Sequence, residues 1–555
     1  MRKLLLKSAV VATVLAGMTS CADELNISSI DPKSSASADE FLLMAKCYST
    51  LGLTGQEGPA GNGDLSLDEG ESGFYRTTFN CQELATDEVI WAWQTDDGIP
   101  AFTSMAWDAS TTRVNWCYTR LGYDITLFNE YLATATNDDY KNEVRFLRAL
   151  HYWYYLDIFH RCPFKIDNDL KQTPEEKAGK DLYDWLDEEL TYLEENMEPI
   201  GTYNNKQGFG RADAGAAYLL HARLLLNAPI YTDGQVSGDA VYNAAIQKVD
   251  MLINSGKYAL CDVEKNGYTG YEQVFMADND ENENAMKEII LPIRQDGVTT
   301  QCYSGANYLV SSMRIAGMPD MGTTNGWSCN FARGALVEQF FPTITDCPIS
   351  KEKADDDATE AEIMALDAAD GSDTKGIQSK ANDNRALFYA GHGGGLRKLK
   401  TDKITTFTDG LSIVKWNNHR ADGGAVHGTE FPDVDIPLLR YAEAFMIKAE
   451  CQLRLGNAEA AKNLLNTTIR KRANATDIHD LSMRTMLDEW CREFYVEGRR
   501  RSDLIRFGCY TTRDYLWDWK GGAENGTTVD SRFNLYPIPL TDLQNNPNIH
   551  QNPGY

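Results

Sequence analysis

Two sets of residues in this chain have the type and spacing to act on a ligand. The first is aromatic. The chain has 20 Phe, 11 Trp and 27 Tyr, and Trp and Tyr rings, flat and partly polar, suit an uncharged ligand. Most such rings in any protein belong to its core, and Trp153 and Trp490, inside helical patterns, read that way. Trp93 and Trp327 stand instead in polar, glycine-rich contexts. The second set is acidic. Asp278-Asn279-Asp280-Glu281-Asn282-Glu283-Asn284 alternates oxygen donors of the kind a hard cation such as Ca²⁺ takes. It lacks the glycine and terminal Glu spacing of an EF-hand, so the residues alone favour a solvated acidic loop. No catalytic constellation stands out: the chain has no G-x-S-x-G or H-E-x-x-H run, and nothing singles out a glycosidase pair among its 81 carboxylates. Gly391-His392-Gly393-Gly394-Gly395 has no strand-turn-helix context for phosphate and reads as a loop.

Charge narrows the partners. Lys and Arg total 53 against 81 Asp and Glu, a net charge of -28. Phosphate binding needs a basic footprint, so nucleic acid is excluded, and so is electrostatic docking on anionic lipid. A membrane link enters through the N-terminus. Arg2, Lys3 and Lys7 precede an apolar stretch, Ala9 to Gly17, too short to span a bilayer. Met18-Thr19-Ser20-Cys21 follows and resembles a bacterial lipobox, so residues 1–20 read as a lipoprotein signal peptide and Cys21 as the acylated residue. At about 0.8 kcal/mol per buried methylene, three acyl chains hold a protein on a membrane without a spanning helix. The other eleven cysteines form no C-x-x-C pair. They read as small buried hydrophobes rather than zinc ligands, although an exported chain can still form one or two disulfides.

The elements that must position these residues are mainly helical. Glu143 to Phe159, within 140–160, places Val144, Leu147, Leu150, Tyr154 and Ile158 on one stripe, with Pro163 past its end. Within 211–255, Arg211 to Asn227 pairs with Ala240 to Ser255; within 439–473, Leu439 to Leu455 pairs with Ala458 to Ala473 across Gly456-Asn457. Alanines recurring at three- and four-residue spacing let such helices approach closely, as in tetratricopeptide units. The length alone suggests three or four domains. The wide separation of the helix pairs indicates one helical scaffold, 21–555, interrupted by long insertions. Those at about 52–110 and 262–345 are rich in Gly, Asn, Asp, Thr and aromatics, with short strand-like runs such as Glu288 to Ile293. Loops on a rigid scaffold are where function concentrates. The segment 350–385, with Asp355-Asp356-Asp357, reads as a solvated acidic loop or helix.

Several runs together resemble one family. They are D-E-G-E-S-G-F-Y-R-T-T-F-N at 68–80, W-A-W at 91–93, R-F-L-R-A-L-H-Y-W at 145–153, M-G-T-T-N-G-W at 321–327 and E-F-Y-V-E-G-R-R-R at 493–501. By these the chain resembles the SusD/RagB family of Bacteroidetes over essentially its whole length, and Asp23-Glu24 resembles the acidic export tag of their surface lipoproteins. The 68–80 and 321–327 runs resemble the starch-binding members. The resemblance implies a mainly α, SusD-like fold with tetratricopeptide-like helix pairs. It implies a non-enzymatic outer-membrane lipoprotein that captures starch or maltooligosaccharides and serves a TonB-dependent transporter of the SusC type. It also implies an aromatic arc of Trp91, Trp93, Tyr303 and Trp327, polar contacts from Asp68 and Arg76, and a structural Ca²⁺ at Asp280, Asp433 and Asp435. Asp96 replaces an Asn of the starch-binding pattern, losing an amide donor while keeping the acceptors.

Those residue types suit a sugar. A glucose ring has one face of C–H groups and a rim of hydroxyls; aromatic faces cover the first, and an arginine fork or a carboxylate meets the second. At roughly 25 cal/mol per Å² of apolar area, one stacked sugar contributes about 1–2 kcal/mol, so several rings must act together. Rings on a curved line select a curved polymer. Two other readings compete: a member of the same family that binds a different glycan, and a tetratricopeptide-type adaptor that binds peptide.

Overall fold

A computed structural model describes residues 39–55, 58–59, 63–169, 171–315, 318–341, 373–392, 395–407 and 409–555. The signal peptide, Cys21 and Asp355-Asp356-Asp357 lie outside the described residues. The chain divides into a short unit, Met1–Lys46, and a large one, Cys47–Tyr555. The large unit holds the helical segments at 140–160, 211–255 and 439–473 and both insertions.

The fold is mainly α. Its helices include α1 (Phe74–Glu83), α2 (Thr112–Thr134), α3 (Asp138–Phe159), α4 (Gly179–Asn196), α5 (Ala214–Leu226), α6 (Asp239–Ser255), α7 (Ala306–Met313), α8 (Ala442–Arg454), α9 (Ala458–Leu465), α10 (Met483–Phe494) and α11 (Arg500–Arg506). Helices α2 to α6 pack each on the next, then α6 on α8 and α8 on α9. Both helix pairs expected from the alanine spacing are therefore present. Ala216, Ala217 and Ala222 of α5 are completely buried. Helix α3 starts before its apolar stripe because the Asn137 side chain accepts the N–H of Tyr140 at 3.1 Å and Asp138 and Asp139 favour the first turn. Helix α8 starts at Ala442 rather than Leu439, since Ile436–Arg440 forms a strand.

The short strands pair distant segments. Strand β1 (Val89–Trp91) runs antiparallel to β3 (Asn330–Ala332), with Trp91 opposite Asn330. Strand β2 (Ile289–Ile293), the strand-like run of the second insertion, runs antiparallel to β4 (Ile436–Arg440). Two segments differ from the expectation of loops: 52–110 contains α1, and Gly391–His392 pairs with Gly395–Leu396. Ten cysteines among the described residues are buried, and Trp153 and Trp490 are core.

The 493–501 run is scaffold. Arg440, 1% exposed, meets Glu288 at 3.0 Å, Glu493 at 2.7 Å and Glu497 at 2.7 Å. Arg385 reaches Glu493 at 3.1 Å, and Arg472 pairs with Glu288 at 2.8 Å and with Glu493. Burial works to raise the Glu493 carboxyl, but Arg472, Arg440 and Arg385 outweigh it and hold it at about 2. Losing one partner of such a buried set leaves an uncompensated charge and costs about 3–5 kcal/mol.

Candidate functional site

The ring residues gather where β1, α7 and the 321–329 loop meet. Trp91, still in the strand, is only 4% exposed and stacks on Tyr308 of α7 at 5.8 Å and 21°. Its Nε1–H donates to Asp96 Oδ2 at 2.9 Å. Trp91, expected in the arc, is thus largely covered by Tyr308. Two residues later the chain has left the strand and Trp93 is 46% exposed. Its Nε1–H donates to the backbone carbonyl of Trp327 at 3.1 Å. Trp327 is half-buried, with its ring 6.1 Å from that of Tyr303, also half-buried, and Tyr303 lies 5.2 Å from Phe431.

The glycine-bearing runs make this approach possible. A Cβ on Gly70 would lie 2.7 Å from Tyr303 Cβ, and one on Gly73 would overlap Ser304 Oγ at 1.9 Å. Gly322 has φ +69°, and a Cβ there would sit 2.5 Å from the Asn418 carbonyl. The turn it opens lets Asn325 Nδ2 donate to the Glu430 carbonyl at 3.0 Å and the Trp327 N–H donate to the Ser311 carbonyl at 2.7 Å. Both runs are therefore folding instructions for the loops that carry the rings.

Arg76 differs from expectation. It is 5% exposed, with its guanidinium 4.8 Å from the Tyr308 ring, 5.5 Å from Trp91 and 5.6 Å from Trp327. It donates to Gly70 O at 2.9 Å, Tyr303 O at 3.3 Å and Glu71 Oε1 at 2.9 Å. Its forked donors thus tie the platform together from beneath instead of facing solvent. Glu71 also receives Arg113 at 2.8 Å. Asp68 is exposed and accepts the Glu71 N–H at 3.0 Å. Asp96, half-buried, supports Trp91, and an Asn oxygen can accept the same bond. Tyr308, Arg113, Phe431 and Phe407 belong to the arrangement but carry no local sequence signal, and Glu71 belongs to it from within the 68–80 run.

The acidic residues lie elsewhere. Arg294 joins Asp280 at 2.9 Å and Asp435 at 3.2 Å, while Asp433 Oδ2 accepts the His427 N–H at 2.8 Å. Asp433 Oδ1 is buried without a hydrogen-bond donor, Asp435 Oδ2 faces only the Arg294 Nε of that ion pair, and burial, only partly countered by Arg294, pushes the Asp435 carboxyl up to about 8. A buried carboxylate oxygen such as Asp433 Oδ1 is a ligand type that a hard cation takes. Among the described residues, no three His, Cys, Asp or Glu side chains converge as a ready metal site. Asp278 is 1% exposed and accepts the N–H groups of Ala421 at 2.8 Å and Asp422 at 3.2 Å, so its loop is not simply solvated.

Comparison with known proteins agrees with this architecture. The SusD family model matches residues 271–555, and the starch-binding protein SusD of Bacteroides thetaiotaomicron is 50% identical over 568 aligned residues, covering 100% of this chain and 99% of that protein. The chain belongs to the SusD family. A SusD-like protein from Bacteroides fragilis superposes with a TM-score of 0.64 at 18% identity, covering 95% of this chain and all of that one. Surface glycan-binding protein A from Bacteroides thetaiotaomicron, solved with laminarihexaose, gives 0.61 at 16% identity over 92% of this chain and 98% of that one. At such identities these two establish the SusD fold alone. Among the described residues of this SusD-family chain, no helix is long and apolar enough to cross a membrane.

Proposed function

We propose that this SusD-family protein is a non-catalytic, cell-surface lipoprotein of the outer membrane, anchored through Cys21, that captures starch as α-1,4-glucan or maltooligosaccharide and passes it to a SusC-like TonB-dependent transporter. The observation that carries the reading is the ring series Trp93, Trp327 and Tyr303, in which a 46% exposed indole is fixed to the next ring's backbone. Aromatic faces held at set angles match the C–H faces of successive sugars, and the exposed Asp68 stands by as an acceptor for hydroxyls. The half-identical relative named for starch supports the ligand class. Net charge has little bearing on a neutral glucan, so -28 is no obstacle.

A structural Ca²⁺ belongs to the same proposal. Asp280, Asp433 and Asp435 would hold it, and the buried, donor-free Asp433 Oδ1 supports this. Such an ion pins the 278–284 loop to the segment leading into β4 and takes no part in binding sugar.

Affinity electrophoresis tests the function. Retardation in gels containing starch but not laminarin is the expected result. Retardation by laminarin alone would move the protein to another glycan. Retardation by no polysaccharide, with a peptide ligand found instead, would favour the adaptor reading. Prolonged incubation with starch should release no new reducing ends.

A further inference from the structure

Trp93 has a second ring against it. Phe407 meets it edge to face, with centroids 4.7 Å apart and planes at 70°. Such a contact fixes the tilt of an indole without a parallel ring stacked over it, and Trp93 keeps nearly half its surface open.

The segment that delivers Phe407 is built for the purpose. Arg397, completely buried, donates to the carbonyls of Phe407 at 2.9 Å, Asp409 at 3.1 Å and Gly410, and its guanidinium lies 3.9 Å from the ring of Phe331 in β3. Burying a guanidinium is costly unless its donors are engaged, and here three carbonyls of one loop engage them. Asp409 Oδ2 accepts the N–H groups of Asp402 at 2.9 Å and Lys403 at 3.2 Å, and Trp519 Nε1–H donates to Thr401 O at 2.8 Å. Phe407 and Ile404 then pack on a cluster containing Ile90 of β1, Ala92 and Phe331. The ring beside Trp93 is therefore anchored to the sheet from which Trp93 emerges.

We infer that Phe407 is a positioning residue of the glycan site, setting the tilt of Trp93 and through it the curvature of the glucan accepted. This rests on the reading of Trp93, Trp327 and Tyr303 as a glycan platform. An edge-to-face pair of this kind is worth a factor of roughly 2 to 10 in an equilibrium.

The test is calorimetric titration of the full-length protein with α-cyclodextrin, a closed curved glucan, and with linear maltoheptaose, alongside thermal melts. Phe407→Ala should weaken cyclodextrin binding by about 5- to 10-fold and maltoheptaose binding less, since a flexible chain can follow a moved ring. Phe407→Tyr keeps the ring and should bind within about two-fold of wild type. Should Phe407→Ala fail to fold, Phe407→Leu retains bulk without a ring and should show the same preferential loss. Wild-type affinity in Phe407→Ala or Phe407→Leu overturns the inference while leaving the glycan-binding reading intact, and so does an equal loss in Phe407→Tyr. Failure of the wild-type protein to bind either glucan removes the starch reading and this inference together.

Discussion

The Nε1–H of Trp93 donates to the backbone carbonyl of Trp327 at 3.1 Å, across 234 positions of sequence. The bond joins the turn after β1 to the glycine-bearing loop before β3, so the backbone that carries one ring helps fix the other. Since β1 and β3 are themselves paired, the two loops leave one small sheet side by side.

Trp93→Ala should abolish detectable binding to starch while moving the melting temperature little, because a 46% exposed side chain contributes little to the core and surface changes usually stay within about 0.5 kcal/mol. Trp93→Phe keeps a ring but loses the anchoring N–H, and intermediate affinity is expected. Calorimetry and thermal melts on both variants are the check. A large fall in melting temperature for Trp93→Ala would show that the ring holds the fold rather than the ligand.

Arg76 should behave in the opposite way. Arg76→Gln removes the charge beneath Trp91, Tyr308 and Trp327, and Glu71 keeps Arg113 as its remaining partner. A loss of about 1.5–3 kcal/mol is expected, the usual scale for hydrogen bonds to a charged group, with weaker glucan binding as its consequence. Denaturant unfolding measures the first and titration the second. Unchanged stability with lost binding would instead make Arg76 a direct contact to sugar.

Trp91 and Trp93 mark how far the sequence reaches. Helical period and alanine spacing suffice for α3, α5 and α6, since those signals are local. Motif runs suffice to bring 68–80, 91–93 and 321–327 into consideration, but not to say which ring ends up open. Trp91 and Trp93 share one short run, and what separates them is Tyr308, more than 200 residues downstream, which covers the first and not the second. Phe407 is further removed still: its neighbours in sequence are Thr and Ile, and only Arg397 and the β1–β3 pairing give it a place. Rings covered by distant segments have no signature within their own window.

A pH response is expected from the helix stack. His221 of α5 is 2% exposed, with Nδ1 2.7 Å from Glu194 and Nε2 2.8 Å from Asp187, both on α4. Neutral imidazole has one N–H and can donate to only one of them, whereas the cation satisfies both. Burial works to lower the His221 pKa, but the two carboxylate bonds outweigh it and the net shift is upward, despite Lys248 nearby on Glu194 at 2.6 Å. A raised histidine stabilises the fold fully below its unfolded value of about 6.5, and that contribution is lost as pH rises through the folded value. The melting-temperature gap between wild type and His221→Gln should therefore be widest near pH 6 and narrow toward pH 9. A gap that does not change with pH would mean that the imidazole stays neutral.

The acidic cluster separates two ways of neutralising the same buried carboxylates. Arg294 already stands between Asp280 at 2.9 Å and Asp435 Oδ2 at 3.2 Å, yet Asp433 Oδ1 is buried with no hydrogen-bond donor. If a cation completes the site, Ca²⁺ should raise the melting temperature of chelator-treated protein; binding at 100 times its Kd adds about 2.7 kcal/mol. Asp435→Asn should abolish that response, and glucan affinity should be unchanged throughout because the platform rings lie outside this cluster. If Arg294 alone neutralises the cluster, Ca²⁺ and chelator will leave the melt unchanged and Arg294→Met will lower it sharply. Thermal melts of wild type and both variants, with Ca²⁺ and with chelator, distinguish the two, since only the first makes the wild-type melt depend on Ca²⁺.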